Sequence, residues 1–366
     1  MTRREMVAAL AAAASLEAQP TPVSLGVIGL GLRSRAHLNA IEKLRAESRI
    51  AALGDIQPDR MVEVNAGLPA KAATYTDYRE LIKDPNVGAV VIVTPGYLHK
   101  EMALQAMRAG KDVLLEKPLA LNYADAREIV REARRTGRVV CVGMQRRYSK
   151  GDAQIRKLVE SGVIGPVRFI NYEEYRGDWN PRSWKFTDPA TGRQASWRTL
   201  KKTAGSSELE FSIHSLAMTT SLVRAPLRRL SATGGVVHYK DRDTRDLSAM
   251  LVEFADGARF SYSFNCFSPR AGGKLLVIGD SGVIRREGSK ILMSAGGKPL
   301  EPVKSTEDAE GGAEVQMYRE FFQNVRERKP SPLGPEEALE PAKIAFGAEI
   351  SISENRVVTA ADFPAV

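Results

Sequence analysis

The chain has 366 residues, which suits two domains of average size better than one. Its 43% hydrophobic and 27% charged content is that of a water-soluble globular protein. The formal charge of +9 comes with no basic run interleaved with aromatics, which argues against nucleic acid as a partner.

At the N-terminus, Thr2-Arg3-Arg4-Glu5-Met6 precedes an apolar, alanine-rich stretch from Val7 to Leu16. Glu17-Ala18-Gln19-Pro20 follows. Paired arginines, a short apolar region and a small residue before a cut resemble a twin-arginine export signal. This predicts a periplasmic or otherwise exported protein. The alternative is a frayed N-terminal helix on a cytoplasmic enzyme. The stretch falls well short of the ~20 residues that cross a bilayer, so no membrane span is expected. Residues 1–20 are therefore set aside from the fold.

From Val23 to Ile28 the chain reads as a strand, running into Gly29-Leu30-Gly31-Leu32-Arg33-Ser34 and a helix-like stretch, His37 to Ala46. Gly29 permits a tight turn, and Gly31 lets backbone approach a pyrophosphate with no Cβ in the way. Ser34 replaces a third glycine and is small enough for close helix–strand packing. The helix N-terminus then directs its dipole and unpaired N–H groups at phosphate. A second strand, Ile50 to Leu53, leads to Asp55, placed to accept hydrogen bonds from the adenosine ribose hydroxyls. A carboxylate there disfavours a 2′-phosphate, so NAD is expected over NADP.

Asp77 to Lys83 reads as a short helix and Ala89 to Val93 as a buried parallel strand, ended by Thr94-Pro95-Gly96. Lys100 to Arg108 is helical and stops at Ala109-Gly110. Asp112 to Leu115 is a strand ending at Glu116-Lys117-Pro118. Tyr123 to Thr136 is a charged helix and Val139 to Val142 the next strand. This alternation predicts a doubly wound parallel sheet, an α/β Rossmann domain over residues 21–148. Lys117 then sits at the carboxyl edge of the sheet, where its ammonium can stabilise an alkoxide; Pro118 fixes the turn, with a cis bond as one option. His99 either lines the cofactor pocket or caps the following helix.

The pattern changes after Arg147. Asp152 to Ser161 reads as a linking helix and Val167 to Tyr175 as a strand. From Leu227 onward the chain reads as long strands with turns at Asp256-Gly257 and Gly279-Asp280-Ser281-Gly282. Helices are expected at Val315 to Arg328 and Pro335 to Asn355, and an exposed loop at Ser305 to Gly312. Residues 149–366 are thus expected to form an α+β domain with a large open, mostly antiparallel sheet, one face covered. Glu210 and His214 lie four apart on one predicted helical face. They read either as an acid–histidine pair for proton transfer or as a core helix with a satisfied histidine. Tyr175 to Trp184 forms either a pocket wall or a loop on the domain interface. Cys141 and Cys266 read as buried thiols, and no metal-ligand spacing is present.

The turn Gly29 to Ser34 with His37, Thr94-Pro95 with His99, Glu116-Lys117-Pro118-Leu119-Ala120, Gln145-Arg146-Arg147 and Trp197-Arg198 before Glu210 and His214 carry a resemblance. Over residues 22–355 the chain resembles the glucose–fructose oxidoreductase/inositol dehydrogenase (Gfo/Idh/MocA) family. The resemblance implies NAD(P)-dependent hydride transfer at a secondary alcohol of a sugar, sugar derivative or glycoside, in a homodimer or homotetramer. It implies Lys117 as the active-site lysine, His214 as the proton-transfer histidine and Glu210 in a place usually held by aspartate. Implied cofactor contacts are Gly29, Gly31, Leu32, Arg33, Ser34, Asp55, Thr94, Pro95, His99, Glu116, Lys117 and Gln145. Implied substrate contacts are Lys117, Arg147, Tyr175, Trp179, Trp197, Arg198, Glu210 and His214. Ser212 replaces a usual glycine, and Ala217 stands where many relatives carry an aspartate. A redox-neutral, NAD-dependent glycoside hydrolase is the alternative function, and a non-catalytic NAD sensor a third.

Overall fold

The computed structural model describes residues 21–177, 185–187, 194–304 and 310–366. The six parallel strands of the first sheet are β1 (Val23–Ile28), β2 (Ser48–Gly54), β3 (Ala73–Tyr75), β4 (Ala89–Ile92), β5 (Asp112–Glu116) and β6 (Val140–Gly143). Their order is β3-β2-β1-β4-β5-β6. The order reverses between β1 and β4, which opens a crevice at their carboxyl ends. Every residue of β4 and β5 is buried, because helices cover both faces; that is why these strands are almost wholly apolar. The helix Tyr123–Thr136 is bounded by local chemistry. The Asn122 side chain accepts from the Asp125 N–H at its start, and Gly137, at φ 62°, ends it.

Two elements differ from the sequence-based expectation. The first helix begins at Ser34, not His37, so the glycine turn passes directly into it. A helix over Pro58–Ala66 was not foreseen; it buries only Met61, so no apolar stripe announces it.

The second domain holds β7 (Val167–Arg176), the small hairpin β8 (Lys185–Thr187) and β9 (Gln194–Ser196), and β10 (Leu227–Gly235). β11 (Leu247–Phe254), β12 (Arg259–Asn265), β13 (Ala271–Gly279), β14 (Gly282–Glu287), β15 (Lys290–Ala295), β16 (Glu301–Pro302) and β17 (Val358–Thr359) follow. Nine of these form one sheet in the order β16-β15-β14-β13-β7-β12-β11-β10-β17. It is antiparallel throughout except between β7 and β12. Along β7, Ile170, Tyr172 and Glu174 are buried, and the residues between them face the other way. The helix Ile213–Val223 lies on the buried face, where the Ser215 hydroxyl donates to Glu174. The helices Ala313–Glu327 and Pro335–Glu354 return to the first domain; Tyr318 Oη lies 2.8 Å from His37 Nδ1. Cys141 and Cys266 are both buried, and no described helix is long and apolar enough to cross a membrane.

Candidate active site

The carboxyl ends of β1, β2, β4, β5 and β6 bring the glycine turn, Asp55, Thr94, Lys117 and Gln145 to one edge of the first sheet. Gly29 has φ +90°, and a Cβ there would lie 2.7 Å from the Val93 carbonyl oxygen, so only glycine fits. Ser34 is buried and donates its hydroxyl to Gly31 O at 2.6 Å, closing the turn in place of a third glycine. The Asp55 carboxylate accepts from Leu30 N–H at 2.7 Å and Gln57 N–H at 2.9 Å, with Arg60 at 3.4 Å. Leu32, Ile56 and Tyr97, on the loops after β1, β2 and β4, are 57%, 85% and 49% exposed. Exposed apolar side chains around such a crevice suit the flat faces of a dinucleotide; Ile56 and Tyr97 were not anticipated from sequence. The backbone cradle at Gly29, the acid after β2 and these apolar rims fit NAD.

His99 is a correction to the sequence-based expectation. It is fully buried and neither lines the pocket nor caps a helix. Its Nδ1 lies 2.7 Å from Pro118 O and its Nε2 2.9 Å from Thr94 O. Burial lowers its pKa, although both carbonyls favour the charged ring. It ties the loop after β4, with Thr94 and Pro95, to the turn at Lys117–Pro118, whose peptide bond is cis.

Glu116 sits beneath the crevice rather than in it. Its Oε1 accepts from Arg33 Nε at 2.7 Å and faces His37 Nε2 at 2.9 Å, and its Oε2 accepts from Lys117 N–H at 3.0 Å. Burial opposes its ionisation, but the hydrogen bond from His37 and the charges of Arg33 and Lys117 outweigh that and hold it well below the usual carboxylate range. Arg33 also reaches Glu314 at 3.2 Å. With its amide oriented to satisfy both neighbours, Gln145 accepts from Arg33 and donates to Gly143 O. Arg33 and Lys117 are thus aimed by one buried carboxylate.

Lys117 Nζ donates to the Glu210 backbone oxygen at 2.7 Å and lies 3.5 Å from the Glu210 carboxylate. Arg198 reaches the other oxygen of that carboxylate at 3.2 Å and lies over the Trp197 ring. Lys117, Glu210, Trp197 and Arg198 therefore meet, as their grouping as substrate contacts requires. Among the described residues no hydrogen bond joins Glu210 to His214. Glu210 lies in a π-helical turn, Glu208–Ser212, that runs directly into the helix carrying His214. Its carboxylate serves Lys117 and Arg198, while His214 Nδ1 is buried with no partner among the described residues. Burial first, then the charges of Lys117 and Arg146, push the His214 pKa well below its usual value, so the ring is neutral near pH 7.

His214 lines a cleft of about 430 Å³, counted to its open mouth, with Arg147, Met144, Arg146, Arg156 and Ala217 among its walls. Arg147, expected as a substrate contact, lines this cleft; Arg146 and Arg156 also line it and were not anticipated, although the Arg-Arg pair was visible. Tyr175 is a second correction. It has the opposite parity to Tyr172 and Glu174 on β7, and its ring lies over Gly272 on the face away from the helix that carries His214. Trp179 and the rest of the segment to Trp184 lie outside the described residues, as does the N-terminal segment 1–20.

Fold and crevice together define a dinucleotide-binding protein of the doubly wound class. Residues 23–144 match the oxidoreductase family with an NAD-binding Rossmann fold, and residues 153–285 match the GFO/IDH/MocA C-terminal domain. The chain belongs to the Gfo/Idh/MocA family. It is 24% identical over 345 residues to the myo-inositol 2-dehydrogenase of Thermotoga maritima, covering 91% of this chain and 97% of that enzyme. It is 33% identical over 160 residues to the inositol 2-dehydrogenase/D-chiro-inositol 3-dehydrogenase of Lactiplantibacillus plantarum, covering 43% of this chain and 45% of that one. The chain thus spans less than half of that relative. A levoglucosan dehydrogenase solved with NADH and L-sorbose shares the fold, with a TM-score of 0.82, 20% identity, 95% of this chain and 100% of that one covered.

Proposed function

We propose that this protein is an NAD-dependent oxidoreductase acting on a secondary alcohol of a sugar, sugar derivative or glycoside. One observation carries the proposal: at the edge of a dinucleotide crevice the Lys117 ammonium reaches Glu210, one turn before His214 on the same helical segment. Neutral His214 takes the hydroxyl proton. Lys117, held by Glu210, steadies the oxygen as negative charge grows on it. Arg198 and Trp197 offer a hydrogen-bonding and stacking surface beside Glu210. Bound NAD supplies the hydride acceptor. The inositol dehydrogenase relatives support this class of chemistry, and Asp55 supports NAD over NADP.

Native mass spectrometry should find a dinucleotide on the purified protein or bind one on addition. Sugars and polyols should then change the nicotinamide absorbance, and Lys117→Met should lower the rate by about 10²-fold or more while NAD still binds. Lys117→Met turning over like wild type would remove the proposal. A redox-neutral glycoside hydrolase draws no support from these relatives; aglycone release from aryl glycosides with no net change in absorbance would put it first.

The open face of the large sheet, with Leu247 and Leu251 exposed, suits a second copy of the chain, and light scattering tests for a dimer or tetramer. Export rests on the Arg3-Arg4 segment alone, and a reporter fused to residues 1–20 tests it.

A further inference from the structure

The cleft against His214 holds more positive charge than its own carboxylates answer. Arg146, Arg147 and Arg156 line it, against Asp152 and Glu337. Asp152 is shared by Arg146 and Arg286. Glu337 pairs with Arg147 at 3.0 Å. Among the described residues Arg156 meets only Glu160, at 4.0 Å, and Glu160 lies closer to Arg224, at 2.5 Å. Arg156 Nε is buried and has no hydrogen-bond partner among the described residues. Burial, and then the like charge of Arg147, lower the Arg156 pKa, as expected where guanidinium groups crowd without an anion.

A second side chain in the same cleft is in the same condition. His214 Nδ1 is buried and has no hydrogen-bond partner among the described residues. Ala217, one helical turn on, lines the cleft beside it and presents only a methyl group. A buried donor left without an acceptor is costly. Both atoms belong to side chains that line this one cleft.

We propose that this cleft binds a carboxylate, held by Arg147 and Arg156, which accepts the Nδ1 proton of His214. A guanidinium pairs naturally with the two oxygens of a carboxylate. Seated there, the anion fixes the tautomer that leaves Nε2 free to accept a proton, as a carboxylate does in an acid–histidine pair. It supplies from outside the acceptor that position 217 lacks. The carboxylate is either part of an acidic sugar substrate or a separate small acid. The link to proton transfer rests on the function proposed above; the binding does not.

The test is calorimetry on the full-length, NAD-loaded protein at constant ionic strength, titrating sodium acetate, sodium D-glucuronate, D-glucose and sodium phosphate. Acetate and glucuronate should bind, both more tightly than phosphate. Arg156→Gln should weaken acetate by about tenfold or more, and Ala217→Asp should do the same by supplying a tethered carboxylate. Unchanged NAD binding by both variants shows that they are folded. Glucuronate tighter than both acetate and glucose assigns the carboxylate to the substrate; glucuronate no tighter than acetate assigns it to a separate acid. No binding of either carboxylate, tighter binding of phosphate, or wild-type acetate affinity in both folded variants would overturn the proposal. Because heat is measured rather than turnover, the binding result stands or falls apart from the oxidoreductase function, which fails separately if Lys117→Met turns over like wild type.

Discussion

Replacing Glu116 with glutamine tests whether one buried carboxylate aims both the phosphate-side arginine and the reactive lysine. Its two oxygens receive Arg33 Nε and His37 on one side and the Lys117 N–H on the other. A glutamine keeps the shape but has one accepting atom, so one side must lose its acceptor. An orphaned buried donor together with the lost charge should cost about 3 kcal/mol at neutral pH. The pH dependence is more diagnostic. Glu116 is held below the ordinary carboxylate range in the folded protein, so its contribution is fully present above the unfolded value of about 4.3 and is lost as pH falls. Between roughly pH 5.3 and 3.3 the unfolded chain takes up the proton while the folded one does not. The gap between wild type and Glu116→Gln should then shrink by about 1.4 kcal/mol. Urea unfolding of both proteins across that range measures it, since groups that do not interact with Glu116 cancel in the difference. A gap that stays constant down to pH 3.3 would falsify the claim that Glu116 is held ionised.

Three further outcomes follow from the same crevice. Gly29→Ala forces a Cβ to 2.7 Å from Val93 O at φ +90°, so NAD affinity should fall by at least about tenfold, read by fluorescence titration. Asp55→Ser removes the carboxylate that faces Arg60, so the ratio of NADP to NAD affinity should rise; a ratio equal to wild type would show that Asp55 does not discriminate. His214 is neutral at neutral pH, so kcat/KM should hold constant from pH 8 to its ordinary value of about 6.5 and decline only below it. A decline that begins at pH 7.5 would mean that the base is another group.

The dinucleotide crevice was readable in the sequence because its parts are local. Gly29, Gly31 and Ser34 lie within one turn, Asp55 ends the next strand, and Lys117 ends a later one. The parts that resisted reading depend on long-range contacts. Arg33 meets Glu314 and His37 meets Tyr318 across almost the whole chain, and no spacing foretells either. His99 looked like a pocket residue because it follows a ligand-facing strand end; its two carbonyl neighbours become visible only once the turn at Pro118 is placed. The i, i+4 spacing of Glu210 and His214 left their partners open: the Glu210 carboxylate faces Lys117 and Arg198, which come from distant parts of the chain. Tyr175 was misplaced by parity: the alternation on β7 was legible, but which parity meets the helix that carries His214 is set by the packing of the second domain.

The proton that Lys117 gives to the Glu210 main-chain oxygen joins the two halves of the molecule at the reacting centre. An ammonium has three such protons, and with one committed to the opposite half, its remaining two point wherever that half directs them. Small hinge displacements will therefore re-aim the amine before they unfold anything. Substitutions at exposed seams between the halves, such as Arg134 against Glu336, should register as slower turnover while the melting temperature barely moves.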